Sequence, residues 1–75
     1  MTARHPSLHV LGANIRKNRQ HLKLRQIDLA QKAKLDPTYI SGIERGVRNP
    51  STMSLARIAK ALGSTVADLC QGIDQ

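Results

Sequence analysis

Residues 26–46 constrain most strongly how this chain can fold. On both sides of a short polar break, the apolar residues follow the spacing of a buried helix face. These residues are Leu29, Ala33, Leu35, Ile40 and Ile43. Ala30 lies on the inner face, where two helices crossing at roughly 90–120° leave room for little more than a methyl group. The segment therefore predicts two short helices joined by a sharp turn.

The second of these helices has a clear start and a clear end. Asp36 can cap the free amides, Pro37 fits the first helical position, and Gly46 is a typical stop residue. We therefore predict a helix over residues 37–45. Its face away from the core carries short or polar side chains, namely Thr38, Tyr39, Ser41, Gly42 and Arg45. Such a face can enter the major groove of duplex DNA, or it can be the solvated side of an ordinary helical hairpin.

The charge of the chain is large and unevenly distributed. The 75 residues carry a formal net charge of +7. Residues 1–34 contain one acidic residue, Asp28, and eight basic ones, which are Arg4, Arg16, Lys17, Arg19, Lys23, Arg25, Lys32 and Lys34. This asymmetry favours a nucleic-acid partner, with a basic membrane-surface helix as the alternative. Because Tyr39 is the only aromatic residue, base stacking on single strands lacks its main component, and duplex DNA is preferred.

Several other classes of protein have little support in the sequence. A chain of 75 residues has room for one modest core and little space for an enclosed active-site cleft, and no catalytic arrangement is present, so we predict no enzyme. His5 and His9 have no further ligand beside them, so we predict no metal and no cofactor. With Cys70 as the only cysteine, no secretory segment and no apolar run of roughly 20 residues, we predict a cytoplasmic protein without a membrane span.

The remaining chain predicts three more helices. Residues 1–7 are expected to be a flexible arm and residues 8–75 a single domain. Ser7 can cap a first helix whose buried stripe runs Leu8, Leu11, Ile15, Asn18 or Arg19, and Leu22. An arginine so close to the core requires an acidic partner. Leu24 is expected to plug the following connection. Ser51 or Thr52 can cap a fourth helix, which carries Leu55, Ile58, Ala59 and Leu62 and ends at Gly63. Thr65 has capping-box spacing for a short fifth helix, so the fold class is all-α with five helices.

Two positions next to the second helix carry unexpected residues. Arg25 occupies the place of a Ser, Thr or Asp cap, so we expect a poorly protected helix start. Lys34 occupies the sharp turn, where a positive φ is expected and glycine is the usual residue. We predict that Lys34 adopts the left-handed conformation at a cost on the order of 1 kcal/mol.

The C-terminal part carries more apolar residues than a small core needs. Met53, Val66, Leu69 and Ile73 are therefore candidates for a dimer interface. Burial of each of them within the monomer is an equal alternative.

Five motifs of the chain resemble the Cro/repressor-like, or Xre-type, helix-turn-helix regulators. They are Ile15-Arg16-x-x-Arg19, Gln26-x-x-Leu29-Ala30, Tyr39-Ile40-Ser41-x-Ile43-Glu44-Arg45-Gly46, Arg48-x-Pro50-Ser51 and Leu55-x-x-Ile58-Ala59-x-Ala61-Leu62. Together they cover residues 11–69. The stretch over residues 36–49 looks most like the small controller proteins of restriction–modification systems.

The resemblance implies a compact five-helix bundle of the lambda-repressor-like type. It implies a bacterial or phage-encoded homodimer, associated with the nucleoid, that binds an inverted-repeat operator in double-stranded DNA. Such a regulator can act on its own promoter and on a restriction–modification operon, as repressor or as activator in contact with RNA polymerase. An antitoxin or a prophage repressor of the same fold is the alternative within this class. A basic adaptor that binds an acidic protein is the alternative from another class.

The resemblance also implies roles for individual residues. Gln26, Thr38, Ser41 and Gly42 would contact DNA from the two helices, with Tyr39 and Arg45 on the same surface. Arg48 and Asn49 would reach DNA from the following loop. Independently of the resemblance, the charge of the chain predicts phosphate contacts by Arg16 and Lys17, with Arg25 as a hypothetical additional contact. Arg19 would pair with Glu44 as a structural ion pair, outside the DNA contacts. Pro37 stands where many relatives carry a long polar reader, so the operator sequence cannot be borrowed from them.

Overall fold

The computed structural model describes residues 6–73, which form five helices and no strand. The helices are α1 (Pro6–His21), α2 (Gln26–Ala33), α3 (Pro37–Glu44), α4 (Thr52–Ala61) and α5 (Val66–Leu69). The predicted all-α fold with five helices is confirmed. Most of the predicted arm, and His5 with it, lies outside the described residues. Pro6 and Ser7 belong to the first turn of α1 instead of the arm, because proline fits a position where no N–H donor is needed.

Helix α1 packs against α3 and α5, and its buried face is shorter than predicted. Leu11 and Ile15 are buried as expected, but Leu22 is 47% exposed. The reason is that α1 ends at His21 and Lys23 takes a positive φ of 60°, which reverses the chain direction. Leu24 then packs against the core in place of Leu22, as the predicted plug of this connection.

Helix α2 starts without a side-chain acceptor at its cap position, as predicted from Arg25. The exposed N–H is instead satisfied from inside the helix, because the Asp28 carboxylate accepts from the Arg25 backbone nitrogen at 2.8 Å. This is one half of a capping box, so the helix start is better protected than we expected.

The turn between α2 and α3 has the predicted left-handed geometry. Lys34 adopts φ 58° and ψ 46°. The Leu35 N–H donates to the Ala30 carbonyl at 2.9 Å, which satisfies a free carbonyl at the end of α2. Ala30 itself is 1% exposed, as its position between crossing helices predicted.

Helix α3 begins and ends where the sequence predicted, to within one residue. The Asp36 carboxylate accepts from the Thr38 N–H at 2.7 Å, and Pro37 occupies the first turn. Arg45 is the C-terminal cap residue, and Gly46 follows with a positive φ of 77°. The helix approaches α1 at Gly12, where an added Cβ would lie 2.4 Å from the Ile43 carbonyl oxygen. This close contact was not predicted from the sequence.

Helices α4 and α5 close the core from the other side. Ser51 caps α4 by accepting from the Ser54 N–H at 3.0 Å, and Thr65 caps α5 by accepting from the Asp68 N–H at 3.0 Å. The buried apolar residues are Leu11, Ile15, Leu29, Ala30, Ala33, Ile40, Ile43, Ile58, Ala59, Leu62 and Leu69. Leu69 was predicted at a dimer interface, and this prediction is wrong because its side chain is 0% exposed inside the monomer.

Candidate nucleic-acid interface

Helix α3 presents one polar face to solvent. Thr38 and Arg45 are exposed and Ser41 is half-buried. Their spacing of three and four residues places them on one side of the helix, opposite buried Ile40 and Ile43. Three of the predicted contact residues therefore lie together on an accessible strip.

Gly42 is buried, although we predicted it on the surface that faces the major groove. The side chain of Arg48 covers it: a Cβ added to Gly42 would lie 2.4 Å from the Arg48 Cγ. The carbonyl of Gly42 accepts from the N–H groups of Val47 and Arg48 at 3.0 and 3.1 Å. Gly42 thus contributes space and a carbonyl to the loop after α3, and its own surface is hidden.

Tyr39 lies half-buried between α3 and the start of α4. Its hydroxyl accepts from the Ser51 N–H at 3.1 Å, and the guanidinium carbon of Arg48 lies 5.0 Å from the ring centroid. The polar groups around the hydroxyl, first the Ser54 side chain and then the N–H and hydroxyl of Ser51, lower the pKa of Tyr39 below its usual value of 10.0. The Arg48 charge acts in the same direction, and burial opposes the shift. Tyr39 therefore connects α3 to the loop that leads to α4.

The loop between α3 and α4 exposes two more predicted contact residues, Arg48 and Asn49. Arg48 starts next to Gly42 and extends over Tyr39, so this loop arginine is held against α3. The loop thereby adds a cation to the polar strip of the helix.

The predicted ion pair between Arg19 and Glu44 is present and buried. The Arg19 Nε and Nη2 atoms donate to the two carboxylate oxygens at 2.6 and 3.0 Å. The side chains of Arg19 and Glu44 are 11% and 2% exposed. The Nη1 atom donates to the Leu24 carbonyl at 2.7 Å, and Gln26 Nε2 donates to Glu44 Oε1 at 3.0 Å. The network joins the end of α1, the start of α2 and the end of α3.

The candidate phosphate-binding residues differ in whether an acidic side chain is paired with them. Arg16 and Lys17 are exposed on α1. Arg25 is exposed too, but its Nε and Nη2 atoms donate to the Asp28 carboxylate at 3.0 and 2.9 Å. The Arg25 guanidinium and backbone N–H lower the pKa of Asp28 to about 2. The charge of Arg25 is thus partly neutralised, whereas Arg16 and Lys17 have no acidic partner within 4.0 Å among the described residues.

The remaining candidates for a dimer interface are accessible to different degrees. Met53 is 69% exposed. Val66 and Ile73 are half-buried against the core. Ile73 also lines an open groove of about 380 Å³ together with Leu8, Leu55 and Cys70.

Other kinds of site find little support among residues 6–73. This part of the chain contains no cluster of three or more His, Cys, Asp or Glu residues that could hold a metal ion. None of its helices is long and apolar enough to cross a membrane.

Two structurally important residues escaped the sequence analysis. Gly12 permits the contact of α1 with α3, and an isolated glycine inside a helical pattern was a usable signal for it. Asn14 donates from Nδ2 to the carbonyls of Leu69 and Gln71 at 2.8 and 2.9 Å, which ties α5 to α1. No local pattern marks Asn14, because its partners are distant in sequence.

Known proteins are similar to this chain over most of its length. Residues 15–69 match the helix-turn-helix family HTH_3. The regulator DdrOP3 from Deinococcus deserti is 40% identical over 64 residues, which are 85% of this chain and 50% of that protein. The chain therefore spans half the length of this curated relative.

Solved structures of restriction–modification controller proteins are also similar to this chain. The restriction–modification controller protein C.AhdI from Aeromonas hydrophila superposes with a TM-score of 0.81 and 35% identity, over 83% of this chain and 94% of that one. The controller protein C.Esp1396I, a tetramer in complex with its natural 35 base-pair operator, superposes with a TM-score of 0.75 and 43% identity, over 80% of this chain and 79% of that one. With the fold and most of the sequence matched, the chain belongs to the Xre-type helix-turn-helix family, HTH_3.

Proposed function

We propose that this protein is a sequence-specific regulator of transcription that binds duplex DNA as a homodimer. The observation that carries the proposal is the exposed strip of α3, where Thr38, Ser41 and Arg45 share one side. Short polar side chains allow a helix to approach base edges closely, and an arginine can bond guanine in the major groove. The proposed surface also includes Gln26 at the start of α2, Tyr39 on α3, and Arg48 and Asn49 in the following loop.

The charge of the chain supports the same proposal. Arg16 and Lys17 of α1 are exposed and would contact phosphates, with Arg25 as a weaker contact because Asp28 shares its charge. Phosphate contacts set affinity and orientation but carry no sequence information. Base discrimination is therefore assigned to α3 and its following loop.

The dimer is proposed to use Met53, Val66 and Ile73, the interface candidates that retain accessible surface. A two-fold dimer would present its α3 helices roughly 34 Å apart, to half-sites one helical turn apart. We extend the proposal to control of the chain's own promoter and of a restriction–modification operon, by analogy with the controller proteins it resembles. Contact with RNA polymerase and a place on the nucleoid in the cytoplasm belong to the same proposal.

Binding selection from a randomised duplex library, at near-physiological salt, tests the proposal. We expect a palindromic motif that binds at least about a thousandfold more tightly than scrambled DNA. Replacing Arg16 or Lys17 by alanine should weaken binding to all duplexes alike and reduce the salt slope by about 1 each. Ser41→Ala should instead change which motif is selected.

Two results would contradict the proposal. Weak and steeply salt-dependent binding without a motif would leave a basic module that binds nucleic acid non-specifically. A complex with an acidic protein that excess duplex DNA does not disrupt would favour the adaptor function.

A further inference from the structure

The side chain of Arg48 packs against two residues of α3, Gly42 and Tyr39. Its aliphatic stem lies on Gly42, and its guanidinium carbon lies 5.0 Å from the centroid of the Tyr39 ring. A cation over an aromatic face is attracted by the ring quadrupole. The side chain is therefore held in one direction while its charged end remains exposed.

The absence of a side chain at Gly42 is what creates the space for this stem. A Cβ at this position would lie 2.4 Å from the Arg48 Cγ, 3.3 Å from its Cβ and 3.6 Å from its Cδ. The backbone does not require glycine here, since Gly42 lies within α3 and does not have a positive φ. The nearest atoms all belong to Arg48, so steric room for this one side chain is the structural consequence of the glycine.

The second support of Arg48 is itself fixed. The Tyr39 hydroxyl accepts from the Ser51 N–H at 3.1 Å, which holds the ring at the start of α4. The Gly42 carbonyl accepts from the backbone nitrogens of Val47 and Arg48, which fixes the loop relative to α3. Hydrogen bonds thus connect the ring, the loop and the helix around the arginine.

We propose that Gly42 and Tyr39 are positioning residues that orient Arg48 for a direct contact with DNA. This inference rests on the proposed function and assigns the two residues a new role within it. Gly42 makes no DNA contact of its own, because it is covered by Arg48. A side chain already held in its bound orientation loses less entropy on binding, which strengthens the contact.

The substitution Gly42→Ala tests the inference because it should weaken binding without lowering stability. Alanine favours the helix over glycine, and rotating the Arg48 side chain moves its Cγ and Cδ out of the clash. The Arg48 Cβ, 3.3 Å from the added atom, needs only a small shift, so the melting temperature should stay equal or rise. Affinity for the operator recovered by library selection should fall about fivefold to thirtyfold, a large part of what one good base contact is worth. In NMR spectra of the free protein, the ring-current shift of the Arg48 side-chain protons should be lost.

A double-mutant cycle separates positioning from a direct contact by Gly42. In an Arg48→Ala background, Gly42→Ala should change the affinity by less than about twofold, since no arginine remains to be oriented. If Gly42→Ala lowers the affinity as much in the Arg48→Ala background as in the wild type, so that the two free-energy losses add, the inference is overturned. So would a Gly42→Ala variant that binds the operator as tightly as wild type.

Tyr39 offers a matched pair of variants. Tyr39→Leu removes the aromatic face, whereas Tyr39→Phe keeps it and removes only the hydroxyl. We expect the larger loss of affinity for the leucine variant, and equal losses would overturn the assigned role of the ring. If the wild type selects no duplex at all, the proposed function fails and this inference with it. If it selects one that Gly42→Ala binds equally well, the inference alone fails.

Discussion

Removing the Glu44 carboxylate is predicted to destabilise the fold more than any change on the exposed strip of α3. Glu44 accepts from two nitrogens of Arg19 and from the Gln26 amide, and its side chain is only 2% exposed. In the variant Glu44→Ala, the Arg19 guanidinium keeps one bond, to the Leu24 carbonyl, and stays buried without a counter-charge. A buried charge that loses its partner is strongly unfavourable because water cannot replace the missing carboxylate.

The magnitude follows from comparing this cost with the stability of a small domain. Breaking one side of a buried ion pair costs about 3–5 kcal/mol. At roughly 0.05–0.15 kcal/mol per residue, a 75-residue domain has about 4–11 kcal/mol in total. The variant should therefore lose about a quarter or more of its free energy of unfolding. Its melting temperature should fall by about 12–40 °C, using roughly 4–8 °C per kcal/mol for a domain of this size.

Urea unfolding followed by circular dichroism at 222 nm measures the free energy, and a thermal scan gives the melting temperature. The control is Arg19→Met with Glu44→Leu, which replaces the pair by apolar side chains and should recover most of the loss. A second control, Asp28→Ala, removes the half-buried partner of the exposed Arg25 and should change stability far less. A Glu44→Ala protein that melts like wild type would refute the proposed energetic role of the pair.

Three further predictions concern the turn, the helix contact and the tyrosine. Lys34→Gly should raise the melting temperature, since lysine occupies the left-handed region at a cost of about 1 kcal/mol; an equal or lower value would contradict this. Gly12→Ala should destabilise by about 1–3 kcal/mol or more in urea unfolding, because its Cβ would meet backbone oxygens that cannot rotate away, and unchanged stability would refute that contact. Tyr39 is the only aromatic residue, so absorbance at 295 nm reports its titration alone. Its pKa should lie below 10.0, and Arg48→Ala should raise it; a midpoint that does not move would argue against the contact between the two side chains.

Features that depend on neighbouring residues were predictable from the sequence. The caps at Asp36, Ser51 and Thr65 are all present, because a side-chain acceptor and its N–H donor lie only two or three residues apart. The left-handed Lys34 was predicted for the same reason, since a sharp turn between two helices limits the backbone to few conformations. Lys23 has the same conformation and was missed, so the chain reverses there and Leu22 stays outside the core.

Features that depend on distant residues were not predictable in the same way. The hydrophobic character of Leu69 fitted an interface and a core equally well, and only the packing of α5 on α1 and α4 decides for the core. The spacing of Gly42 along α3 predicted an exposed position on the polar face, but the side chain of Arg48 from the following loop covers it. The pairing of Arg19 with Glu44 came from family resemblance, because spacing alone only required that a buried arginine have some acidic partner.

The ion-pair network also restricts the hydrogen bonds that Gln26 can form in its proposed contact with DNA. A carboxylate only accepts hydrogen bonds, so the amide nitrogen of Gln26 must face Glu44 and its oxygen must point away. The amide has two N–H groups, and one remains free after this bond. A phosphate also only accepts, so it can bond this second N–H, while the oxygen is restricted to donors such as the amino groups of adenine or cytosine. The buried Glu44 carboxylate at the end of α3 therefore also determines which partners Gln26 can have at the start of α2. The stability of the fold and the proposed contact of Gln26 with DNA are thus coupled through the Glu44 side chain.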